Sequence, residues 1–323
     1  MHTTRIFSAL ILAGMALATQ AQTSPYPAKP VRVVVGFAPG GAADYVARAI
    51  SDAMGKALGQ PLIIENKAGA GSSIAAEFVA KAAPDGYTVL IASPSSISVN
   101  PALNPKLGYS AKDLQPVTKI TSSPLVIASN PVSGINSVLD LIAMAKKAPG
   151  SINYATSGNG SAPHLGAALF GQIAGIEMTH IPFKGGAPAI QSVVAGDTQL
   201  TFGTPPSVLP MIQAGRLRGL GVSTRERTAL VPGLPGMQEA GVPDYAIEFR
   251  YGIFVPAGTP PALVKKLFDA ATNALGQASV RASLAREGTD VDLSRSPEQF
   301  AAFLGEDAKF WVKLVKSAGV RID

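Results

Sequence analysis

Residues 31–37 form an almost unbroken run of β-branched and apolar side chains, interrupted only by Arg32. Such a run predicts a strand buried on both faces. Gly40 and Gly41 follow, and then the apolar period changes. Val46, Ile50, Ala53 and Ala57 recur at i, i+4, i+7 and i+11, which is one face of a helix. On another face Asp44, Arg48, Asp52 and Lys56 alternate in sign, each pair supporting the helix by roughly 0.2–0.5 kcal/mol. The pattern continues with a strand at 62–65, a helix at 72–83, and a strand at 87–92 behind the turn Pro84-Asp85-Gly86. Strand and helix in alternation predict a mostly parallel sheet flanked by helices.

Residues 93–123 carry several prolines and no clear period, and read as irregular. Leu125-Val126-Ile127 then reads as a short strand crossing into a second lobe. A second series follows: helix 138–147, strand 152–155, helix 162–174, strand 178–181, helix 187–195, strand 199–202, helix 206–214 and strand 217–222. Residues 224–245 are rich in glycine and proline, and 247–255 reads as a strand that crosses back. The tail is helical at 261–276, 280–286 and 297–318. The expected division is therefore 24–124 plus 246–323 for one lobe and 125–245 for the other. Two crossovers make a hinge, which lets lobes close with few dihedral changes.

Composition refines this picture at four points. Arg5, the uncharged apolar run 6–17 and the small residues Ala16, Ala18 and Ala21 have the layout of a secretory signal peptide over 1–21. Cleavage fits after Ala18 or Ala21, and the chain is expected in the periplasm. The mature length, about 300 residues, exceeds what one core usually serves, so two lobes are the default. Cysteine is absent, which excludes disulfides, thiolate metal sites and a cysteine nucleophile. Processing removes Arg5 from a formal charge of +6, and the remaining basic residues are scattered. That pattern argues against nucleic acid and suits an anionic solute through long-range steering.

Two glycine-bearing strand-to-helix turns carry the candidate chemistry. One runs through Gly36, Phe37, Ala38, Pro39, Gly40, Gly41, Ala42, Ala43 and Asp44. The other runs through Thr156, Ser157, Gly158, Asn159, Gly160, Ser161 and His164. A helix start exposes N–H groups without internal partners, and the helix dipole favours negative charge there. Glycine lets backbone approach a ligand closely. One turn in each lobe, if they face one another, would clamp a carboxylate without a basic side chain.

At this point the ordered motifs resemble the Bug family, the TctC-like extracytoplasmic receptors of tripartite tricarboxylate transporters. The resemblance runs from Tyr26-Pro27 through Gly36-Phe37-Ala38-Pro39-Gly40-Gly41, Glu65-Asn66-Lys67-Ala68-Gly69-Ala70-Gly71 and Pro84-Asp85-Gly86-Tyr87-Thr88. It continues through Tyr154-Ala155-Thr156-Ser157-Gly158, Ile181-Pro182-Phe183-Lys184-Gly185-Gly186, Ala214-Gly215-Arg216-Leu217-Arg218 and Pro256-Ala257-Gly258-Thr259-Pro260. It implies a type II periplasmic-binding fold and a carboxylate held by backbone amides at 38–44 and 156–161, partly through water. It further implies cleft walls at Ser93, Ser95 and Phe183-Lys184-Gly185, with Thr204 nearby. The implied partners are a small organic carboxylate and a membrane permease of the tripartite tricarboxylate type, or a membrane sensor in its place. A monomer without cofactor, metal or nucleic acid is expected, and no membrane insertion of the mature chain.

Three positions depart from the family's pattern. Tryptophan is frequent there where this chain has Arg250-Tyr251, tyrosine where it has Phe183, and an acid near Gly203 where it has Thr201-Phe202-Gly203-Thr204. Lacking that acid, the Gly203 turn points to a non-amino carboxylate.

Each singled-out residue also has a plainer reading. Asp44 offsets the helix dipole and pairs Arg48, or it anchors the loop. His164 packs a helix start or donates to ligand, while His180 is structural, and neither has metal-ligand spacing. Lys184 is a solvated loop lysine or reaches a distal carboxylate. Trp311 reads as core packing. A P-loop and a dinucleotide fingerprint are unsupported by the spacing around Gly69 and Gly158. A secreted hydrolase would need Ser157 or Ser161 to meet His164 and an acid, without a Gly-x-Ser-x-Gly elbow.

Overall fold

The computed structural model describes residues 26–317; the signal-peptide segment 1–21 lies outside the described residues. The first half-lobe opens with β1 (Val31–Val35), α1 (Ala42–Leu58), β2 (Leu62–Asn66), α2 (Ser73–Ala80), β3 (Thr88–Ala92) and β4 (Leu114–Pro124). The chain then passes through β5 (Val126–Ser129), α3 (Val138–Lys147), β6 (Asn153–Thr156), α4 (Ala162–Ala174), β7 (Thr179–Pro182) and α5 (Gly186–Ala195). It goes on with β8 (Leu200–Gly203), α6 (Pro205–Gln213) and β9 (Arg218–Val222). It returns by β10 (Glu248–Pro256) to α7 (Pro261–Gly276), α8 (Ala278–Arg286), β11 (Asp290–Val291) and α9 (Pro297–Ser317).

Two sheets result, with strand orders β11-β4-β10-β3-β1-β2 and β7-β6-β8-β5-β9. In the first, β1 pairs β2 and β3 in parallel, while β10 runs against β3 and β4. In the second, β6 is parallel to β7 and β8, while β5 runs against β8 and β9. Most strands of each sheet thus share one direction, and a strand entering from the other lobe opposes them. This is the two-lobed α/β fold with two crossovers that the sequence predicts.

Local chemistry explains the elements. In β1 only Arg32 is exposed, as a strand covered on both faces requires. The apolar stripe of α1, with Val46, Ile50 and Met54 fully buried, packs in one cluster with Leu267, Ala271 and Leu275 of α7. Gly59 ends α1 in the left-handed conformation, where a side chain is disfavoured.

One long strand escaped the sequence reading. β4 lies inside the stretch taken as irregular, because its buried positions include Thr118, Thr121 and Ser123 rather than an apolar run. Pro116 sits opposite Phe254 beside a register shift, the kind of irregularity that tolerates proline in a sheet. The two-residue β11 is too short for any period to show.

The crossovers are fastened to each other by one residue. Ser223 is fully buried. Its N–H donates to the Leu125 carbonyl at 2.9 Å, and its carbonyl accepts from Ile247 N–H at 2.8 Å. Its hydroxyl accepts from Leu125 N–H at 2.7 Å and donates to the Ile247 carbonyl at 2.7 Å. Removing that hydroxyl strands a buried donor and acceptor between the lobes. Ser223→Ala is expected to lower unfolding stability by about 1–3 kcal/mol. Urea titration of the two proteins checks this.

Candidate functional site

Both sheets switch connection direction at the same place. In the first, β1 lies between β2 and β3; in the second, β6 lies between β7 and β8. Crevices at the carboxyl ends of such strands are where open α/β sheets bind ligands. The turns leaving β1 and β6 are the two glycine turns.

The first turn is held by Asp44. Its Oδ2 accepts from Gly40 N–H at 3.1 Å and Arg48 Nε at 3.0 Å; its Oδ1 accepts from Arg48 Nη2 at 2.9 Å and Asn66 Nδ2 at 3.0 Å. Asn66 Nδ2 also donates to the Phe37 carbonyl at 3.0 Å. Asp44 therefore pairs Arg48 and anchors both ends of the loop, so the two readings of this residue coincide. Burial pushes its carboxyl up, but the hydrogen bonds from Arg48, Gly40 and Asn66 outweigh that and hold it below the usual carboxylate range.

Across the lobe boundary this turn meets a third one. Ala38 N–H donates to the Lys184 carbonyl at 2.9 Å. A Cβ placed on Gly41 would lie 3.5 Å from Gly186 N, and one on Gly186 would lie 3.8 Å from Thr204 Oγ1. Gly41, Gly185 and Thr204 are the N-caps of α1, α5 and α6, and none of the three helices has a side-chain cap. Three helix N-termini thus converge: α1 and α5 present first-turn N–H groups without a cap, while α6 opens on Pro205-Pro206, which have no N–H, so its end contributes the Thr204 hydroxyl instead. Lys184 itself is exposed, which fits a solvated loop lysine.

The second turn is self-contained by comparison. Ser161 Oγ donates to the Gly158 carbonyl at 2.7 Å and accepts from His164 N–H at 3.4 Å, capping α4. Thr156 Oγ1 accepts from Gly158 N–H at 3.2 Å and lies 2.6 Å from His180 Nε2. His164 Nδ1 accepts from Gly160 N–H at 3.1 Å, and its ring stacks on His180 with centroids 3.8 Å apart. Ser161 and the His164 ring do not form a nucleophile–base pair, so the hydrolase arrangement is not built. Among the described residues no cluster of His, Cys, Asp or Glu could hold a metal.

The two glycine turns do not meet head-on. The Phe183–Gly186 turn stands between them: a Cβ on Gly158 would lie 3.0 Å from the Phe183 carbonyl, while Ala38 bonds Lys184. Of the other predicted residues, Phe37, Ala42, Ala43, Ser93, Ser95, Thr156 and Thr204 are buried, Ser157 is half-buried, and Pro39 is exposed. Ser93 Oγ and Ser95 Oγ share a hydrogen bond at 2.7 Å.

Sequence reasoning passed over the turn before α2. Gly71 abuts the Asn159 backbone, and Asn100 abuts Gly160, so this turn closes the seam against the second lobe. Ala70 (φ 46°) and Ser72 (φ 80°) sit in the left-handed region without being glycine, a strain typical of functional turns. Ser72 Oγ and Asn100 Oδ1 are buried without a hydrogen-bond partner among the described residues. The quoted motif Glu65–Gly71 was the available signal.

Known proteins place these turns in context. Residues 46–320 match the family model described as "Tripartite tricarboxylate transporter family receptor". Over an alignment of 326 positions that spans the full length of both chains, 32% are identical to protein BugT of Bordetella pertussis (strain Tohama I). A Rhodopseudomonas palustris protein solved with adipate superposes with a TM-score of 0.86 at 33% identity, covering 91% of this chain and 98% of that one. MatC from the same organism, solved with bound malate, gives 0.85 at 33%, covering 90% and 100%.

Two expectations follow from the geometry. Gly71 has φ 57°, and a Cβ there would collide with the Asn159 carbonyl. Gly71→Ala should hold the lobes apart, giving a larger radius of gyration by small-angle scattering than the parent protein. Burial pushes His164 down to about 4; burial and then the His164 charge push His180 down to about 3. Unfolded, both titrate near 6.5. The unfolded chain thus binds more protons below about pH 6.5, and stability falls as pH drops from there toward about 3. Asp44, an acid held below its unfolded value, adds stability that is present above that unfolded value and is lost as pH falls through its own lowered one. Urea midpoints measured across that range should fall in the parent and fall less steeply in His180→Phe.

Proposed function

Because this chain belongs to the tripartite tricarboxylate transporter receptor family, whose members are periplasmic solute-binding proteins rather than enzymes, we propose that it captures a small organic carboxylate between its lobes and delivers it to a membrane permease of that type. Among the described residues no helix is long and apolar enough to cross a membrane. Residues 1–21 act as the export signal, and 24–124 plus 246–323 and 125–245 act as the two closing bodies.

One observation carries the carboxylate reading: the convergence of the uncapped N-termini of α1 and α5 at the lobe boundary, with the Thr204 hydroxyl at the start of α6 beside them. Their N–H groups and dipoles favour an anion there without a cationic side chain. Hydrogen bonds to a charged group contribute about 1.5–3 kcal/mol each, so three or four reach micromolar affinity, about −8 kcal/mol, after ordering costs. The adipate and malate held by two relatives agree with this class. In this reading 38–44 and 183–185 supply the N–H cradle with Thr204. Residues 156–161 with His164 form the opposing wall, and Ser93 and Ser95 the floor.

A thermal-shift screen of the processed, ligand-stripped protein tests the reading. A carboxylate at about 100-fold its Kd should add roughly 2.7 kcal/mol and raise Tm by about 4 °C. The matching amide should give no shift. A screen in which no acid shifts Tm would overturn the reading. Gly41→Val should abolish the response while leaving the unliganded Tm close to that of the parent. The added methyls would reach Gly186, whose N lies 3.5 Å from the Cβ position.

A further inference from the structure

A small cavity of about 30 Å³, room for one water-sized group such as an ammonium, lies behind Ser93 and Ser95, bounded by Leu165 of α4, by β10 and by Phe303, Asp307 and Trp311 of α9. A wider opening beside the hinge shares Ile247, Glu248, Arg250, Asp307 and Trp311 with it. Both lobes and both the hinge strand and the last helix therefore contribute walls.

Strand register gives its distance from the anion cradle. Val35 is opposite Ile91, and Ala92 is opposite Gly252, so Phe37, Ser93 and Arg250 come nearly level at one sheet edge. Adjacent strands are about 4.8 Å apart, which puts the cavity roughly 10 Å along that edge from the first glycine turn. A straight-chain ligand with its carboxylate in the cradle would reach it with its far end.

Among the described residues the polar groups there are engaged, with one exception. Arg250 gives Nε to Asp292 at 3.1 Å and Nη2 to Glu248 at 3.1 Å, and its guanidinium lies over the Phe303 ring. Lys119 Nζ takes the other Asp292 oxygen at 2.9 Å. Ser93 and Ser95 bond each other. Asp307 receives one hydrogen bond, from Trp311 Nε1 at 3.2 Å. A carboxylate has room for about four, so Asp307 offers open acceptor sites to the cavity. The Trp311 ring beside it favours a cation as well, while the Phe303 ring already carries Arg250 and Lys119 and serves as a wall.

We propose that Asp307, with Trp311 and Phe303, forms a distal subsite that selects carboxylates bearing a protonated amine at the far end of a straight chain. The proposal rests on the carboxylate reading above. It places the acid on the last helix, where the sequence reading sought one near Gly203. Burial pushes the Asp307 carboxyl up to about 6, against the pull of Trp311 and Arg250, as a site awaiting a donor should show. A second carboxylate in that position would meet Asp307 and Glu248 without a free cation to offset them.

Calorimetric titration of stripped protein with the series from β-alanine to ω-aminooctanoate, the dicarboxylates of equal length and plain alkanoates tests this. The expected result is an optimum in the middle of the amino series, bound about tenfold tighter than the equal-length dicarboxylate. Asp307→Asn should erase that preference and leave propionate affinity unchanged, and Asp307→Glu should restore part of it. Tighter binding of the dicarboxylate, or an unchanged rank order in Asp307→Asn, overturns the distal subsite while leaving the carboxylate reading intact. Failure of every carboxylate to bind the parent protein overturns both.

Discussion

The lobes of this protein touch backbone to backbone. Ala38 N–H reaches the Lys184 carbonyl, Gly71 lies against the Asn159 backbone, and a Cβ on Gly158 would lie 3.2 Å from Gly71 N. Side chains at these points would hold the lobes apart by several ångströms. The helix N-termini of α1 and α5 and the Thr204 hydroxyl would then be too far apart to share one anion. Everything else in the arrangement serves that closeness: the glycines at the turns, the Asp44–Arg48–Asn66 network that fixes one of them, and the Ser161 and His164 caps that fix another.

The hinge is built to a different rule. Where the seam uses absent side chains, the crossovers use a present one, the Ser223 hydroxyl, to bind Leu125 and Ile247 into a single ribbon. Two strands that are tied together bend together. Arg250 lies on the same strand as Ile247's neighbour Glu248, so the ribbon that bends also walls the hinge-side cavity. The part of a ligand seated there is sensed by the element that moves.

Much of the fold was legible because it rests on local periodicity. The helices at 138–147, 162–174 and 261–276 have the bounds that apolar spacing and the flanking Ser137, Ser161 and Pro260 indicate. β4 was hidden because its buried polar side chains are satisfied by partners no apolar pattern shows: the Ser123 hydroxyl donates to Thr289 Oγ1, far along the chain, and Thr118 Oγ1 to the Lys119 carbonyl. The glycine turns were legible as turns. Their company was not: that Gly41 sits beside Gly186 and Thr204 follows from packing two lobes, and no local pattern records it. Asp307 is the extreme case. In sequence it is one more charge on an amphipathic helix; only the fold of α9 over Ser93 and Leu165 brings it to a cavity. Ala70 and Ser72, left-handed without glycine, ran against the residue rule itself.

The hydrogen bond between Ala38 and Lys184 joins protein to protein, so it favours closure whatever the cleft contains. A receptor with such a contact has a resting population of closed molecules that carry no cargo. A membrane partner that reads only the closed outline would dock them too, and some docking events would be idle. In the delivery role proposed above, the strength of that one bond would set a background level of false arrivals, against which a true cargo must be counted.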